Sequence, residues 1–485
     1  MILSYRVSYH QEKSKMGEFQ NKSLAKLKSI ELSTASPVSI LSIFSHVESE
    51  FGAMLLDSSD GQHENGQYHI MVASPICFVE ARQREISIRK ADTVTTIEGD
   101  PFKTLRLLQH EYPLAYQAPT EHALPFACGY LGYFGYDLGR TQEKLPEKNS
   151  QEYVTPDMAV GLYTWSIIED KSTGKLYFQW HPDYPHPSLE IVTQWLSSPA
   201  QSQQDFQLTG HWTGNLSQSE YNKRIANIHE YLHAGDCYQV NLAQRFTTSY
   251  IGSEWQAYRS LRDANNAPFS AFIRLESSVI LSISPERFIS VTDNIVQTKP
   301  IKGTMPRSED PAIDQLNAEQ LSLSEKDRAE NLMIVDLLRN DLSRSCASGS
   351  IKVPKLFNIE SFPAVHHLVS TIEGVMDDNQ DCLSVIAQAF PGGSITGAPK
   401  IRAMEIIEEL EPNRRNIYCG SIGYIDANGH MDTNICIRTV LCEQQTMHCW
   451  AGGGIVLDSN SDSEYQESLD KVAKILPVLS QSDQT

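Results

Sequence analysis

Apolar positions recur at helical spacing in two well-separated stretches. Tyr221, Ile225, Ile228 and Leu232 follow a Ser217/Glu220 capping box and end at Gly235, which predicts a helix over 217–235. Tyr465, Leu469, Val472 and Leu476, spaced 4, 3 and 4, predict the buried stripe of a closing helix, with Glu464, Glu467, Lys471 and Lys474 on another face. Taken alone, those charges read as a solvated face with a Glu467–Lys471 pair worth about tenths of a kcal/mol. Further helices are predicted at 324–339, carrying Glu330 and Asn331, and at 401–410, with Pro399 in its first turn. Strand patterns occupy 238–246, 279–283 and 287–299, the last turning at Asp293-Asn294. Residues 418–457 read as one antiparallel meander with a hairpin turn at Asn428-Gly429.

Residues 37–180 mix strand and helix. The run Gly-Tyr-Leu-Gly-Tyr-Phe-Gly-Tyr-Asp at 129–137 suits close backbone packing and lacks the helix start of a dinucleotide fingerprint. Ser, Gln, Thr and Gly dominate 196–217 and mark a linker, which divides the chain into 37–195 and 217–478. A length of 485 residues suits roughly two to three domains.

Composition narrows the function classes. A formal net charge of −20 argues against a nucleic-acid or anionic-membrane surface, so an anionic substrate must be met by local cations. No apolar run approaches the roughly 20 residues of a membrane span, and residues 1–35 carry no visible signal or lipid motif, so the cytoplasm is the expected location. Nine cysteines, odd in number and without a Cys-x-x-Cys pair, argue against a disulfide framework or a zinc cluster.

The candidate chemistry starts at Lys302, between Ile301 and Gly303 in Pro-Ile-Lys-Gly-Thr, and at Glu286 in Ser-Pro-Glu-Arg-Phe. An amine nucleophile needs a lowered pKa or a carboxylate to handle its proton, and a desolvated pocket supplies both. A lone hairpin lysine is ordinarily just surface, so other motifs must carry the assignment. Gly-Gly-Ser-Ile-Thr-Gly-Ala-Pro-Lys at 392–400 leads into a helix N-terminus; it reads equally as an anion site or as a tight helix entry. Gly452-Gly453-Gly454 lets backbone approach a ligand beside the closing helix.

These motifs, with Asp-Arg-Ala-Glu-Asn-Leu-Met-Ile-Val-Asp-Leu (327–337) and Glu-Tyr-Gln-Glu (464–467), together resemble chorismate-utilising enzymes of the anthranilate synthase component I family. Within it they look most like the aminodeoxychorismate synthase branch, over roughly residues 40–478. The resemblance implies an α+β fold, a sandwich of two antiparallel β-sheets flanked by helices. It also implies a reaction: chorismate and ammonia give 4-amino-4-deoxychorismate for 4-aminobenzoate and folate synthesis, the ammonia coming from a separate glutamine amidotransferase subunit.

In such enzymes the lysine matching Lys302 bonds covalently to the ring, and the residue matching Glu286 protonates the departing hydroxyl. Glu330 and Glu467 match ligands of Mg²⁺, with Glu464 one helical turn away. Gln239, His367, Thr396, Arg438, Gly452, Gly453, Gly454 and Lys471 match positions around the substrate; His366 reads as structural, and His367 alone reads equally so. Lysine at 302, where anthranilate synthases usually carry alanine, points to amination at carbon 4 with pyruvate retained. Gln239, where isochorismate and salicylate synthases carry a water-activating lysine, favours ammonia as the incoming group. Ser58, Pro268, Phe269 and Ser270 match a tryptophan pocket, regulatory in some relatives and structural in others, although residues 60–68 depart from the pattern. Residues 1 to about 25 precede the family's usual start, and Met16 offers a second initiator. The competing readings are anthranilate synthase component I and a non-catalytic, tryptophan-binding regulatory subunit.

Overall fold

A computed structural model describes residues 24–33, 38–58, 66–118, 124–198, 204–362 and 365–480. Met16 and residues 60–65 of the divergent loop lie outside them.

Among the described residues, two large antiparallel sheets of 12 and 13 strands form an α+β sandwich. The 12-stranded sheet places Gly129–Phe134 next to Ser421–Asp426, and continues through Met431–Asn434 and Arg287–Thr292 to Ile301–Pro306 at its end. The 13-stranded sheet runs Gln239–Ile251, Thr446–Ile455, Thr439–Glu443, Ser278–Ser284 and Phe269–Arg274, then into strands from the first half of the chain. Both sheets therefore take strands from either side of the 196–217 segment. The glycine-aromatic run is a structural strand: a Cβ built at Gly132 would lie 2.2 Å from the carbonyl oxygen of Ala159 on the adjacent strand.

Local chemistry accounts for the clearest helix. Gln218–Ala234 opens on the complete Ser217/Glu220 capping box and closes at Gly235, whose φ of 78° is the left-handed conformation glycine adopts freely. Tyr221, Ile225 and Ile228 are buried. With helix Lys400–Leu410 they cover the apolar face of Val240, Leu242 and Ile455. Asp293 and Asn294, both at positive φ, make the expected turn. All nine cysteines are free and buried. Among the described residues no helix is long and apolar enough to cross a membrane.

Four expectations are corrected. Residues 418–457 are not one meander: 421–426 and 431–434 belong to the 12-stranded sheet, while 439–443 and 446–455 belong to the other. The chain crosses between layers at 435–438. The closing helix spans Ser461–Asp470 and then gives way to turns before Leu476–Ser480; its buried residues are Glu464 and Ser468, with Tyr465 and Leu469 only partly covered. Glu464 and Ser468 are buried with partners, Glu464 accepting from the Ser459 hydroxyl at 2.7 Å and Ser468 from Gln244 Nε2 at 2.7 Å, while Val472 beyond the helix is buried in the core. Pro399 is the cap of helix Lys400–Leu410 and lies outside its first turn. The 324–339 helix extends over Glu325–Leu342 and follows an unforeseen one, Pro311–Leu323, which buries only Leu321.

Candidate active site

The site lies where the chain passes between the two sheets. Glu286 sits on the crossing from Ser278–Ser284 to Arg287–Thr292, and Arg438 on the return crossing from Met431–Asn434 to Thr439–Glu443. The crossings bond to each other. The N–H of Ile435 donates to Glu286 O at 3.0 Å, the Ser284 hydroxyl donates to Ile435 O at 2.6 Å, and the N–H of Ile283 donates to Arg438 O at 3.0 Å. Arg438 holds a φ of 52°, a strained left-handed backbone that turns its residue out of the strand direction.

Lys302 is the second residue of Ile301–Pro306 and pairs with Leu368 on Val365–Val375. The register slips between Lys302 and Thr304, leaving Gly303 as the bulged residue at φ 77°. No other residue type fits easily: a Cβ built there would lie 2.8 Å from Leu321 Cδ1 and from Asp327 Cγ.

Burial sets the protonation of this pair. It pushes the Glu286 carboxyl up to about 7, against the opposing pull of Lys302, the Ile301 N–H, Lys471 and Arg438. The same burial holds the Lys302 ammonium below its ordinary range, against the attraction of Glu286, Glu330 and Glu467. Burial therefore shifts both groups toward their neutral forms, although solvent still reaches part of Lys302.

A second wall is built from glycines and the helix above them. A Cβ at Gly452 would lie 2.0 Å from Leu242 O, and one at Gly454 would lie 2.7 Å from Gln239 Nε2. One at Gly453 would meet Glu464 Oε2 at 3.1 Å, Glu467 Oε1 at 3.6 Å and Lys471 Nζ at 3.6 Å. Lys471 donates to Gly452 O at 2.7 Å and pairs with Glu467 at 2.7 Å, so the sequence-level Glu467–Lys471 pair also ties helix to strand. Gln239 is fully buried; its Nε2 donates to Asn241 Oδ1 at 3.0 Å, and among the described residues its Oε1 has no partner. Thr396 is also buried, donating to Gly392 O at 3.0 Å.

Glu330, on helix Glu325–Leu342, completes the acidic side. Burial raises its carboxyl, and Glu464 adds to that; burial likewise raises Glu464, and Glu467 adds to it. Among the described residues no three His, Cys, Asp or Glu side chains already form a metal-ligating cluster. The three glutamates nonetheless fit a hard cation, because they are an all-oxygen donor set whose mutual repulsion a divalent charge would relieve.

His367 is half-buried, its Nδ1 2.8 Å from Thr304 Oγ1, two residues beyond Lys302. His366 is structural, held by Ser361 at 2.8 Å and Asp314 at 3.0 Å. Lys400, the last residue of the 392–400 run, faces Asp341 at 2.7 Å and braces the turn against helix 325–342. Sequence reasoning passed over Arg415 and Glu411, which are buried behind the turn; their i, i+4 spacing looks like an ordinary exposed helix pair. Ser58, Pro268, Phe269 and Ser270 line one cavity of about 190 Å³ with Tyr68, Arg287, Tyr424 and Asn434.

The model of chorismate binding enzymes matches residues 52–477. The chain belongs to the chorismate binding enzyme family. It is 51% identical over 429 residues to aminodeoxychorismate synthase component 1 of Escherichia coli K12, covering 88% of this chain and 93% of the relative. It is 49% identical to the protein of the same name from Salmonella typhimurium LT2, over 87% of this chain and 92% of that one. Crystalline anthranilate synthase component I from Streptococcus pneumoniae TIGR4 superposes with a TM-score of 0.74 at 29% identity, covering 84% of this chain and 92% of that one. All the motifs discussed above lie inside the family match.

Proposed function

We propose that this member of the chorismate binding enzyme family converts chorismate and ammonia to 4-amino-4-deoxychorismate, the step toward 4-aminobenzoate that its 51% identical relative's name denotes. The observation that carries the reading is the electrostatic coupling of Lys302 to Glu286 in a desolvated setting, the amine pushed down and the acid pushed up to about 7.

Neutral Lys302 adds its lone pair to carbon 2 of the ring. The conjugated double bonds shift, and the 4-hydroxyl departs as water with the proton of Glu286. Ammonia then adds at carbon 4, the double bonds return, and the bond to Lys302 breaks with its electrons returning to the amine. The new ammonium group gives one proton to Glu286, which restores both residues. Arg438 supplies the cation for a substrate carboxylate that the net charge of −20 otherwise lacks. Thr396, His367 and the 452–454 backbone shape the ring site, and the free Gln239 Oε1 is an acceptor for an N–H of incoming ammonia.

Glu330, Glu464 and Glu467 would hold Mg²⁺, which when bound supplies positive charge to anchor a second substrate carboxylate. The name component 1 supports a partner subunit, which we assign as a glutamine amidotransferase. A cytoplasmic location fits this pairing. The cavity that gathers Ser58, Pro268, Phe269 and Ser270 favours tryptophan as a second ligand, testable by equilibrium dialysis with labelled tryptophan.

Purified protein incubated with chorismate, Mg²⁺ and ammonium decides the reaction. The expected product retains the enolpyruvyl group by mass. Anthranilate, which has lost pyruvate, or unconsumed chorismate would overturn the reading.

A further inference from the structure

One edge of strand 239–251 is completed by side chains. Gly397–Ala398 pairs with Gln239 and Val240, and Thr213–Gly214 with Phe246 and Thr247. Between those two short strands, Glu411 and Arg415 take up the backbone groups. The N–H of Ala243 donates to Glu411 Oε1 at 2.9 Å, and Arg415 Nη2 donates to Asn241 O at 3.1 Å. Arg415 Nη1 also donates to Ile395 O at 2.9 Å, inside the turn that carries Thr396. The two side chains join each other at 2.7 and 2.9 Å, and the rings of Tyr136 and Tyr418 flank the guanidinium at 4.7 and 5.7 Å.

The bonds lead directly to the site. Asn241 donates its N–H to Thr396 O at 2.8 Å, its side chain reaches Ser394 O at 3.3 Å, and it accepts from Gln239 Nε2 at 3.0 Å. Arg415 and Glu411 are only 2% and 5% exposed. The charge pairing by itself is a poor reason for such a pair, since replacing a buried ion pair by apolar residues of similar volume is commonly neutral or favourable. Fixing three separate segments in one geometry is a better one, and it needs the planar fork of arginine, which lysine cannot reproduce.

We propose that Arg415, oriented by Glu411, is a positioning residue that clamps the 392–398 turn to strand 239–251 and thereby sets Thr396 and the Gln239 amide against the Gly454 wall. The proposal rests on the reading of the site given above.

The test separates stability from geometry. Glu411→Leu with Arg415→Met removes both buried charges together, leaving no unpaired one. The expected double variant melts below wild type, because the N–H of Ala243 and the carbonyls of Asn241 and Ile395 lose their side-chain partners. Assayed where it remains folded, it loses about 10²-fold in kcat/KM for ammonium, the scale of a 1 Å misplacement. Activity within about twofold of wild type in the folded double variant would overturn the clamp. Should the double variant fail to fold, Arg415→Lys decides, because it keeps a cation beside Glu411 but loses the fork. It is expected to fold with about a tenfold loss, intermediate because a single donor nitrogen cannot reach Glu411, Asn241 O and Ile395 O together, and undiminished turnover refutes the proposal. Chorismate affinity measured without ammonium provides a separate readout, expected to weaken in both variants. If wild type makes no 4-amino product, the amination reading fails, while unchanged affinity in the variants would still sink the clamp by itself.

Discussion

Ile435 donates its backbone N–H to the carbonyl oxygen of Glu286 across 3.0 Å, joining the two chain segments that pass between the sheets. The acid therefore rests on doubly anchored backbone, with Arg438 three residues beyond Ile435 on the same crossing. A carboxyl so placed cannot readily swing to solvent when it ionises, which is why burial dominates its titration.

The pH dependence follows from that raised carboxyl. The reaction uses Glu286 protonated, and its pKa stands near 7, so the competent form is abundant below 7 and is lost as pH rises through it. Ammonium-dependent rates, corrected for the fraction of free ammonia, are expected to fall on the alkaline side with an apparent pKa near 7. Glu286→Gln should remove that limb and lower kcat by about 10² to 10⁴, the range for a general acid. A pH profile unchanged by the substitution would exclude Glu286 as the acid.

Lys302→Ala leaves the acid but removes the nucleophile. The expected variant still binds chorismate, forms no covalent species and turns over at background. Intact-protein mass spectrometry after mixing wild type with chorismate and Mg²⁺, without ammonia, should show an adduct on the peptide containing Lys302. Turnover by Lys302→Ala at the wild-type rate would refute the covalent route.

Metal dependence tests the glutamates separately. Chelation is expected to weaken chorismate binding and abolish turnover, and added Mg²⁺ to restore both. Glu330→Gln should raise the Mg²⁺ concentration needed for half-maximal activity by about tenfold or more, as loss of a charged oxygen ligand does. A Mg²⁺ dependence identical to wild type would remove Glu330 from the ligand set.

Much of this architecture is legible in the chain where the causes are local. The Ser217/Glu220 box, the Gly235 stop and the Asp293-Asn294 turn depend on residues within a few positions of one another, and each forms as expected. The pattern reports strands within 421–455 but cannot say which sheet each strand joins, so the crossing at 435–438 was not foreseeable. Tyr465, Leu469, Val472 and Leu476 do pack on the core, with Val472 buried, but the helix ends at Asp470 and also buries Glu464 and Ser468, whose partners Ser459 and Gln244 only the fold supplies. Helix Pro311–Leu323 buries one side chain and so leaves almost no periodicity to detect. Arg415 was hidden for a different reason: beyond Glu411 four residues away, its partners lie at 241 and 395, and only the fold brings those to it.

Gly303→Ala probes whether the bulge sets the position of Lys302. A residue at φ 77° costs alanine roughly 1 to 2 kcal/mol in backbone strain. The built Cβ adds contacts at 2.8 Å to Leu321 and Asp327, the far parts of side chains that must withdraw. Strand 301–306 can relieve both by losing the bulge, which would shift the register against 365–375 and turn Lys302 toward the opposite face. The expected variant is less stable to urea by about 1 to 3 kcal/mol and fails to form the Lys302 adduct even where it remains folded. A variant with the stability loss but wild-type adduct formation would show that the strand absorbs the strain elsewhere, and that the bulge does not set the nucleophile.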